Sequence, residues 1–272
     1  MQHYEAPIRV WASERDDIRV VLIVGSYGRQ TADAHSDFDL MIYSSDWREY
    51  LADTGWLAQF GTVLVMLRED IGEGRPEFLA VYDNGDKLDF AFDRVEKLRH
   101  IASLDALPEV LDRGYRVLVD KDGITAQFPP APESQPAHLP TPAEFAATLD
   151  AFWYGALYVA RQIKRGNLWT VKYRDWTMKQ QLLTMIEWHT RAVHGWHTDT
   201  WYEGKLITCW ADPDTLDALN GCFGHFDAAD SWRALLATMA LFRRLATDTA
   251  RHLGYAYPAA LDDGITRCIH AL

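Results

Sequence analysis

The stretch Ile18-Arg19-Val20-Val21-Leu22-Ile23-Val24-Gly25-Ser26, answered by Ser36-Asp37-Phe38-Asp39-Leu40-Met41-Ile42-Tyr43, decides the fold. The first run is short, β-branched and closed by a turn signal, as a buried strand would be. The second alternates, so Asp37 and Asp39 share one face while Phe38, Leu40 and Ile42 point into the core. Two carboxylates side by side on a half-buried sheet repel one another and are costly to desolvate. Hard oxygen ligands of this kind suit Mg²⁺. A third aspartate, Asp89, stands in the apolar run Lys87-Leu88-Asp89-Phe90-Ala91-Phe92. The pattern reads as a metal-bound phosphoryl-transfer site.

Further strands are predicted over 60–67, 77–83 and 87–93, the last two paired antiparallel through the turn Asp83-Asn84-Gly85-Asp86. A short helix is expected from Asp46 to Leu51. The proline-rich run Phe128 to Pro140 marks a linker of limited flexibility. It ends at Thr141-Pro142-Ala143-Glu144, a cap threonine, a proline at the first helical position and a glutamate three residues on. Phe145, Leu149, Phe152, Trp153 and Leu157 then recur at helical spacing until Lys164-Arg165-Gly166. Further helices are expected over about 173–194, from Asp212-Pro213 to Gly221, and over roughly 229–253. The fold class is therefore α+β: a mixed-sheet domain over 1–135 and an all-helical domain over 136–272. Trp153 and Trp176 fall on apolar helix faces and are expected in the core.

Composition narrows the partners. Apolar residues make up 48% and charged residues 24%, which excludes wholesale disorder. A net charge of −12 disfavours nucleic acid; it suits cationic small molecules or serves simple solubility. The three cysteines, Cys209, Cys222 and Cys268, form no CxxC pair. No segment has the length and apolarity to span a membrane or the layout of a signal peptide, so a soluble, cytoplasmic chain is expected. Oligomeric state is not legible.

Nucleotidyl transfer needs a grip on the leaving triphosphate, charge neutralisation at the α-phosphorus and a base for the acceptor hydroxyl. Asp37 and Asp39 can share a metal, with Asp89 completing the cage or acting as base. Gly25 and Ser26 offer close backbone approach and exposed amides, and the Arg29 fork matches phosphate oxygens. Glu187 could meet a guanidinium of an acceptor or serve as base; the structural alternative is an ion pair with Arg191, four residues on. His189, His194 and His197 do not share one helical face, which argues against a metal cluster. Trp201, Tyr202 and Glu203 form an aromatic-acidic patch suited to a cationic sugar or to packing within a loop.

Gly25-Ser26-Tyr27-Gly28-Arg29 through Ser36-Asp37-Phe38-Asp39 resembles the signature of the polymerase-β-like nucleotidyltransferase superfamily. Trp56 to Gly61, Leu88-Asp89, Leu168 to Tyr173, Met185 to His189, Gly204-Lys205 and Gly254 to Pro258 resemble the aminoglycoside 6-adenylyltransferases (streptomycin adenylyltransferases), in order along nearly the whole chain. The resemblance implies AMP transfer from MgATP to a hydroxyl of streptomycin, with release of pyrophosphate. It implies Asp37, Asp39 and Asp89 as metal ligands, and Gly25, Ser26, Arg29, Lys172 and Tyr173 at the nucleotide, with Lys172 at the mouth of a helix. Glu187, His189, Trp201, Glu203 and Lys205 are then the acceptor-side candidates, and Asp89 precedes Glu187 as general base. The alternatives are another acceptor (a different aminoglycoside, a lincosamide or a metabolite), a protein-modifying adenylyltransferase, and a non-enzymatic nucleotide-binding regulator.

Overall fold

A computed structural model describes residues 2–130 and 137–272. The chain divides into two compact units, Met1–Glu133 and Ser134–Leu272. The middle of the expected linker, and the expected boundary at 135, lie outside the described residues.

In the first unit six strands form one sheet: β1 Ile18–Ile23, β2 Phe38–Ser44, β3 Val63–Asp70, β4 Pro76–Tyr82, β5 Lys87–Arg94 and β6 Arg116–Asp120, in the order β3-β4-β5-β2-β1-β6. β2 and β5 run parallel, and every other pairing is antiparallel. The sheet is therefore mixed, as expected. Its helices are α1 Glu5–Ser13, α2 Gly25–Gly28, α3 Arg48–Ala52, α4 Val95–Ala102 and α5 Glu109–Asp112. On one face α1 and a 3₁₀ turn over Gly55–Phe60 bury Ile8, Trp11, Trp56 and Phe60 against Phe38, Phe78, Phe90 and Phe92. Trp56 makes edge-on contacts with Phe78, Phe90 and Phe92 at 5.0–5.8 Å, the geometry aromatic quadrupoles favour. On the other face α4 and α5 cover β1 and β2, where Val20, Leu22 and Tyr43 meet Leu98, Ile101 and Leu111. Over β3 and β4 the same face is open: Val65 and Leu67 are 52% and 57% exposed.

The hairpin prediction for the fourth and fifth strands holds, with the Tyr82 amide donating to Asp86 O and the Gly85 amide to Tyr82 O, both at 2.9 Å. The third strand begins three residues later than expected. Phe60 ends the 3₁₀ turn with its ring buried, and Gly61, at φ 146°, turns the chain into β3. Helices α1, α4 and α5 and strand β6 had no sequence expectation.

The second unit is helical: α6 Pro142–Lys164, α7 Leu168–His194, α8 Ile207–Trp210, α9 Pro213–Cys222, α10 Ala228–Leu253 and α11 Ala259–His270. α6 starts with the expected capping box. Thr141 Oγ1 accepts from the Glu144 amide at 3.2 Å, and Glu144 Oε2 accepts from the Thr141 amide at 2.7 Å. The core interleaves α6, α7 and α10, with Phe152 and Phe242 stacked at 3.6 Å. Two expectations fail here. α7 begins at Leu168, not near 173, because Gly166 closes α6 at φ 71° and the Val171 amide already donates to Asn167 O. Trp153 is fully buried, but Trp176 is 63% exposed. The inward stripe of α7 runs Val171, Met178, Leu182, Met185, His189, and Trp176 lies off it. Among the described residues no helix is long and apolar enough to cross a membrane.

Candidate active site

The parallel pairing of β2 with β5 sets Phe38 opposite Leu88, Asp39 opposite Asp89 and Leu40 opposite Phe90. Opposed residues share a face. Phe38, Leu40, Leu88 and Phe90 are at most 1% exposed, so both aspartates stand on the face away from that core. Asp37 precedes β2 by one residue and follows the same alternation. Alternation within β2 and the parallel β2–β5 register together bring Asp37, Asp39 and Asp89 to one face.

Lys87 holds this group in place. Its Nζ donates to Asp37 Oδ2 at 2.8 Å and to Asp89 Oδ2 at 2.9 Å. Partial burial works against its charge, but the two carboxylates outweigh that, and the ammonium titrates well above its ordinary range. Asp89 is shifted upward, chiefly by burial; Lys87 opposes the shift, and the negative charges of Asp37 and Glu69 add to it. Glu77 on β4 is raised for the same reasons, burial first and then Asp89. Lys87 and Glu77 were not anticipated. Lys87 was legible, because a residue two before Asp89 on one strand shares its face. Glu77 needed the β4–β5 register.

Gly25 opens α2 at φ 61°, and a Cβ there would run into Asp39 Oδ2. Only glycine both adopts that conformation and leaves room for the carboxylate. The turn is pinned to β2 by the Val24 amide donating to Asp39 O at 3.0 Å. Ser26 follows within α2. Arg29 caps the turn, its amide donating to Gly25 O at 3.1 Å.

Whether a divalent cation fits can be asked of the donors themselves. Among the described residues no three His, Cys, Asp or Glu side chains are gathered as a ready metal cage. Yet the donors are all hard carboxylate oxygens, Asp89 Oδ1 is buried without a hydrogen-bond partner, and a protein cation, Lys87 Nζ, bridges two of the three. That is a group built to surround positive charge.

The remaining expected residues lie in the helical unit. Lys172 is the fifth residue of α7 and not at a helix mouth, a consequence of the earlier helix start. Its Nζ donates to Gly224 O at 2.8 Å and Ser231 Oγ at 2.9 Å. Tyr173 is 67% exposed, with the Arg174 guanidinium 5.6 Å from its ring. Glu187 is half-buried; burial raises its carboxyl, with Arg191 pulling the other way. His189 is buried between Asp248, 3.0 Å from Nε2, and Asp212, 3.4 Å from Nδ1. Trp201, Glu203 and Lys205 occupy the loop between α7 and α8, where Glu203 and Lys205 are exposed.

The streptomycin adenylyltransferase family profile matches residues 2–272. An aminoglycoside 6-adenylyltransferase of Bacillus subtilis (strain 168) is 24% identical over 269 residues, covering 94% of this chain and 92% of its own. One from Campylobacter jejuni is 25% identical over 252 residues, covering 89% and 85%. The crystal structure of an aminoglycoside 6-adenyltransferase from Bacillus subtilis aligns with TM-score 0.49 and 19% identity, over 97% of this chain and 95% of that one.

Proposed function

We propose a specific reaction from one premise: the chain belongs to the streptomycin adenylyltransferase family and is a nucleotidyltransferase. The reaction is transfer of AMP from MgATP to a hydroxyl of an aminoglycoside, streptomycin first among them, with release of pyrophosphate. The observation that carries this reading is the Asp39–Asp89 register beside the Gly25-Ser26 turn. It sets carboxylates where phosphates could meet both a cation and backbone amides.

In this reading Asp37, Asp39 and Asp89 hold Mg²⁺. The metal supplies neutralisation of charge at the reacting phosphate. Gly25 and Ser26 present the α2 amides to the triphosphate, and Arg29 offers it a charge-assisted donor. The acceptor hydroxyl gives its proton to Asp89 as general base. The new bond forms from that oxygen to the α-phosphorus as the bond to pyrophosphate breaks. Catalysis then rests on alignment and electrostatics more than on covalent assistance. The chain's −12 net charge suits a polycationic acceptor.

The test is incubation with MgATP and a panel of aminoglycosides, followed by mass measurement of an added AMP. Streptomycin is expected to gain it. Asp37→Ala and Asp39→Ala are each expected to lower the rate by roughly 100-fold or more with the far-ultraviolet spectrum unaltered. Retention of a tenth of the wild-type rate in either would remove that aspartate from metal ligation, and AMP on none of the drugs would remove the acceptor class.

A further inference from the structure

Lys87 carries a charge opposite to that of its neighbours on the carboxylate face, and the backbone fixes where it stands. It opens β5, with its Cα opposite Val81 of β4. On the other side of β5, Leu88 faces Phe38, so Lys87 and Asp37 continue that ladder by one step. Asp89 follows two residues on along the same face. The register therefore aims an ammonium on a flexible four-carbon stem between two carboxylates of different strands. Its Nζ lies 2.8 Å from Asp37 Oδ2 and 2.9 Å from Asp89 Oδ2.

Two observations separate this contact from an ordinary ion pair. The first is the uneven use of Asp89. Its Oδ2 accepts from Lys87, whereas Oδ1 is buried without a hydrogen-bond partner and the residue as a whole is 9% exposed. One ammonium does not exhaust the group, and Asp89 keeps an acceptor for a second positive centre.

The second is that Lys87 has a way out. Its side chain is 34% exposed and that of Asp37 45%, so the ammonium can swing into solvent without unpacking the sheet. Lys179 in the helical unit shows the opposite case. Its side chain is 5% exposed and its Nζ is held by Asp175 at 2.7 Å and Thr238 Oγ1 at 2.9 Å, which leaves it no exit.

These features set up a competition. A divalent ion drawn to Asp37 and Asp89 would share their oxygens with the ammonium, and two cations that close repel strongly in a half-buried site. Withdrawing the lysine relieves the repulsion at the cost of two charge-assisted hydrogen bonds. A nucleotide lowers that cost, because its phosphates offset the ion's charge and offer the released ammonium new oxygens.

We propose that Lys87 is a tethered countercation that competes with the divalent ion for Asp37 and Asp89, so that the bare ion binds weakly and loads well only when nucleotide carries it in. The proposal rests on the metal-bearing reading of this face and adds a control on the order of loading. Lys87 acts through the two aspartates and is a positioning residue.

The test titrates Mn²⁺ into the full chain without nucleotide and reads the free ion by electron paramagnetic resonance. Lys87→Met is expected to lower the Kd for bare Mn²⁺ roughly tenfold, the scale of one nearby charge removed from a partly solvated site. The gain for MnATP, followed by calorimetry, should be smaller. Lys87→Arg keeps the charge and should bind bare Mn²⁺ as weakly as the wild type. Adding Asp89→Asn to Lys87→Met should abolish the gain, and a gain that survived would place the ion elsewhere and overturn the proposal. The wild type supplies a check that needs no variant. Acetylation of Lys87 by an amine-reactive ester, located by peptide mass, should rise severalfold in magnesium chloride over sodium chloride of equal ionic strength; unchanged labelling would count against release of the ammonium. Weaker or unchanged Mn²⁺ binding in Lys87→Met would overturn the competition, since the lysine would then orient the carboxylates for the ion. If the wild type still binds MnATP in that case, the metal-bearing reading stands. If it binds neither bare Mn²⁺ nor MnATP, that reading fails and takes the proposal with it.

Discussion

On the open face of the sheet, Asp37 and Asp89 close on one ammonium, that of Lys87, with the Glu77 carboxyl within electrostatic reach of Asp89, whereas each of two buried ions in the helical unit has a counter-charge of its own. Asp262 accepts two hydrogen bonds from Arg243 at 2.5 Å, one from the Tyr257 hydroxyl at 2.7 Å and one from Thr266 Oγ1 at 3.0 Å. Lys179 has Asp175. The shifts follow. Burial pushes Asp89 and Glu77 up and their single cation does not cancel it, while Arg243, Tyr257 and Thr266 overcome the burial of Asp262 and hold it low. The matched pair of Arg243 and Asp262 ties α10 to α11. An unmatched set stores electrostatic repulsion that a bound cation would relieve, and such sets mark working sites.

The comparison breaks most visibly at Asp262. Asp262→Ala leaves Arg243 without its carboxylate and should cost about 3 kcal/mol, the low end for a broken buried pair because Arg243 is partly solvated. The pH dependence has a definite sign. A carboxyl held low in the folded state contributes its full stability above the unfolded aspartate value, near ~4, and loses it as pH falls through the depressed folded value. Urea unfolding of wild type and variant should therefore differ most at neutral pH and converge in acid. A constant gap would show that packing, not charge, ties α10 to α11.

Part of this contrast was legible in the sequence. The period-two alternation that sends Phe38 and Leu40 inward sends Asp37 and Asp39 outward, and no long-range information is needed to see it. That Asp39 and Asp89 are neighbours depends on which strands pair in parallel, and the motif only implied this. β6 is five residues that become a strand because β1 has a free edge. Trp176 was misread because an indole counts as apolar, although the inward stripe through Met178, Leu182 and Met185 phases it off the buried face.

The start of α6, by contrast, is local throughout. Thr141→Ala removes the hydroxyl that accepts from the Glu144 amide and should cost about 1 kcal/mol. The Thr141 amide and hydroxyl and the His138 ring hold Glu144 down at about 2. The cap should therefore persist in moderate acid and weaken only as pH falls from the ordinary glutamate range toward about 2. A thermal melt of Thr141→Ala indistinguishable from wild type would show that tertiary packing alone sets the helix start.

The smallest expected change in stability is the sharpest test of the contrast. Asp89→Asn removes a partly solvated ion pair with Lys87, which keeps Asp37 as its partner, and so loses little. It also removes the cost of burying a carboxylate beside Asp37, and the amide fills the same volume. These terms oppose one another, so stability should stay within about 0.5 kcal/mol of wild type while AMP transfer is lost. The equivalent change at Asp262 has no such offset, since its carboxylate is fully partnered. If Asp89→Asn proved as destabilising as Asp262→Ala, the carboxylates on the sheet would be structural ions like those of the helical unit, and the assignment of that face to phosphoryl chemistry would lose its physical basis.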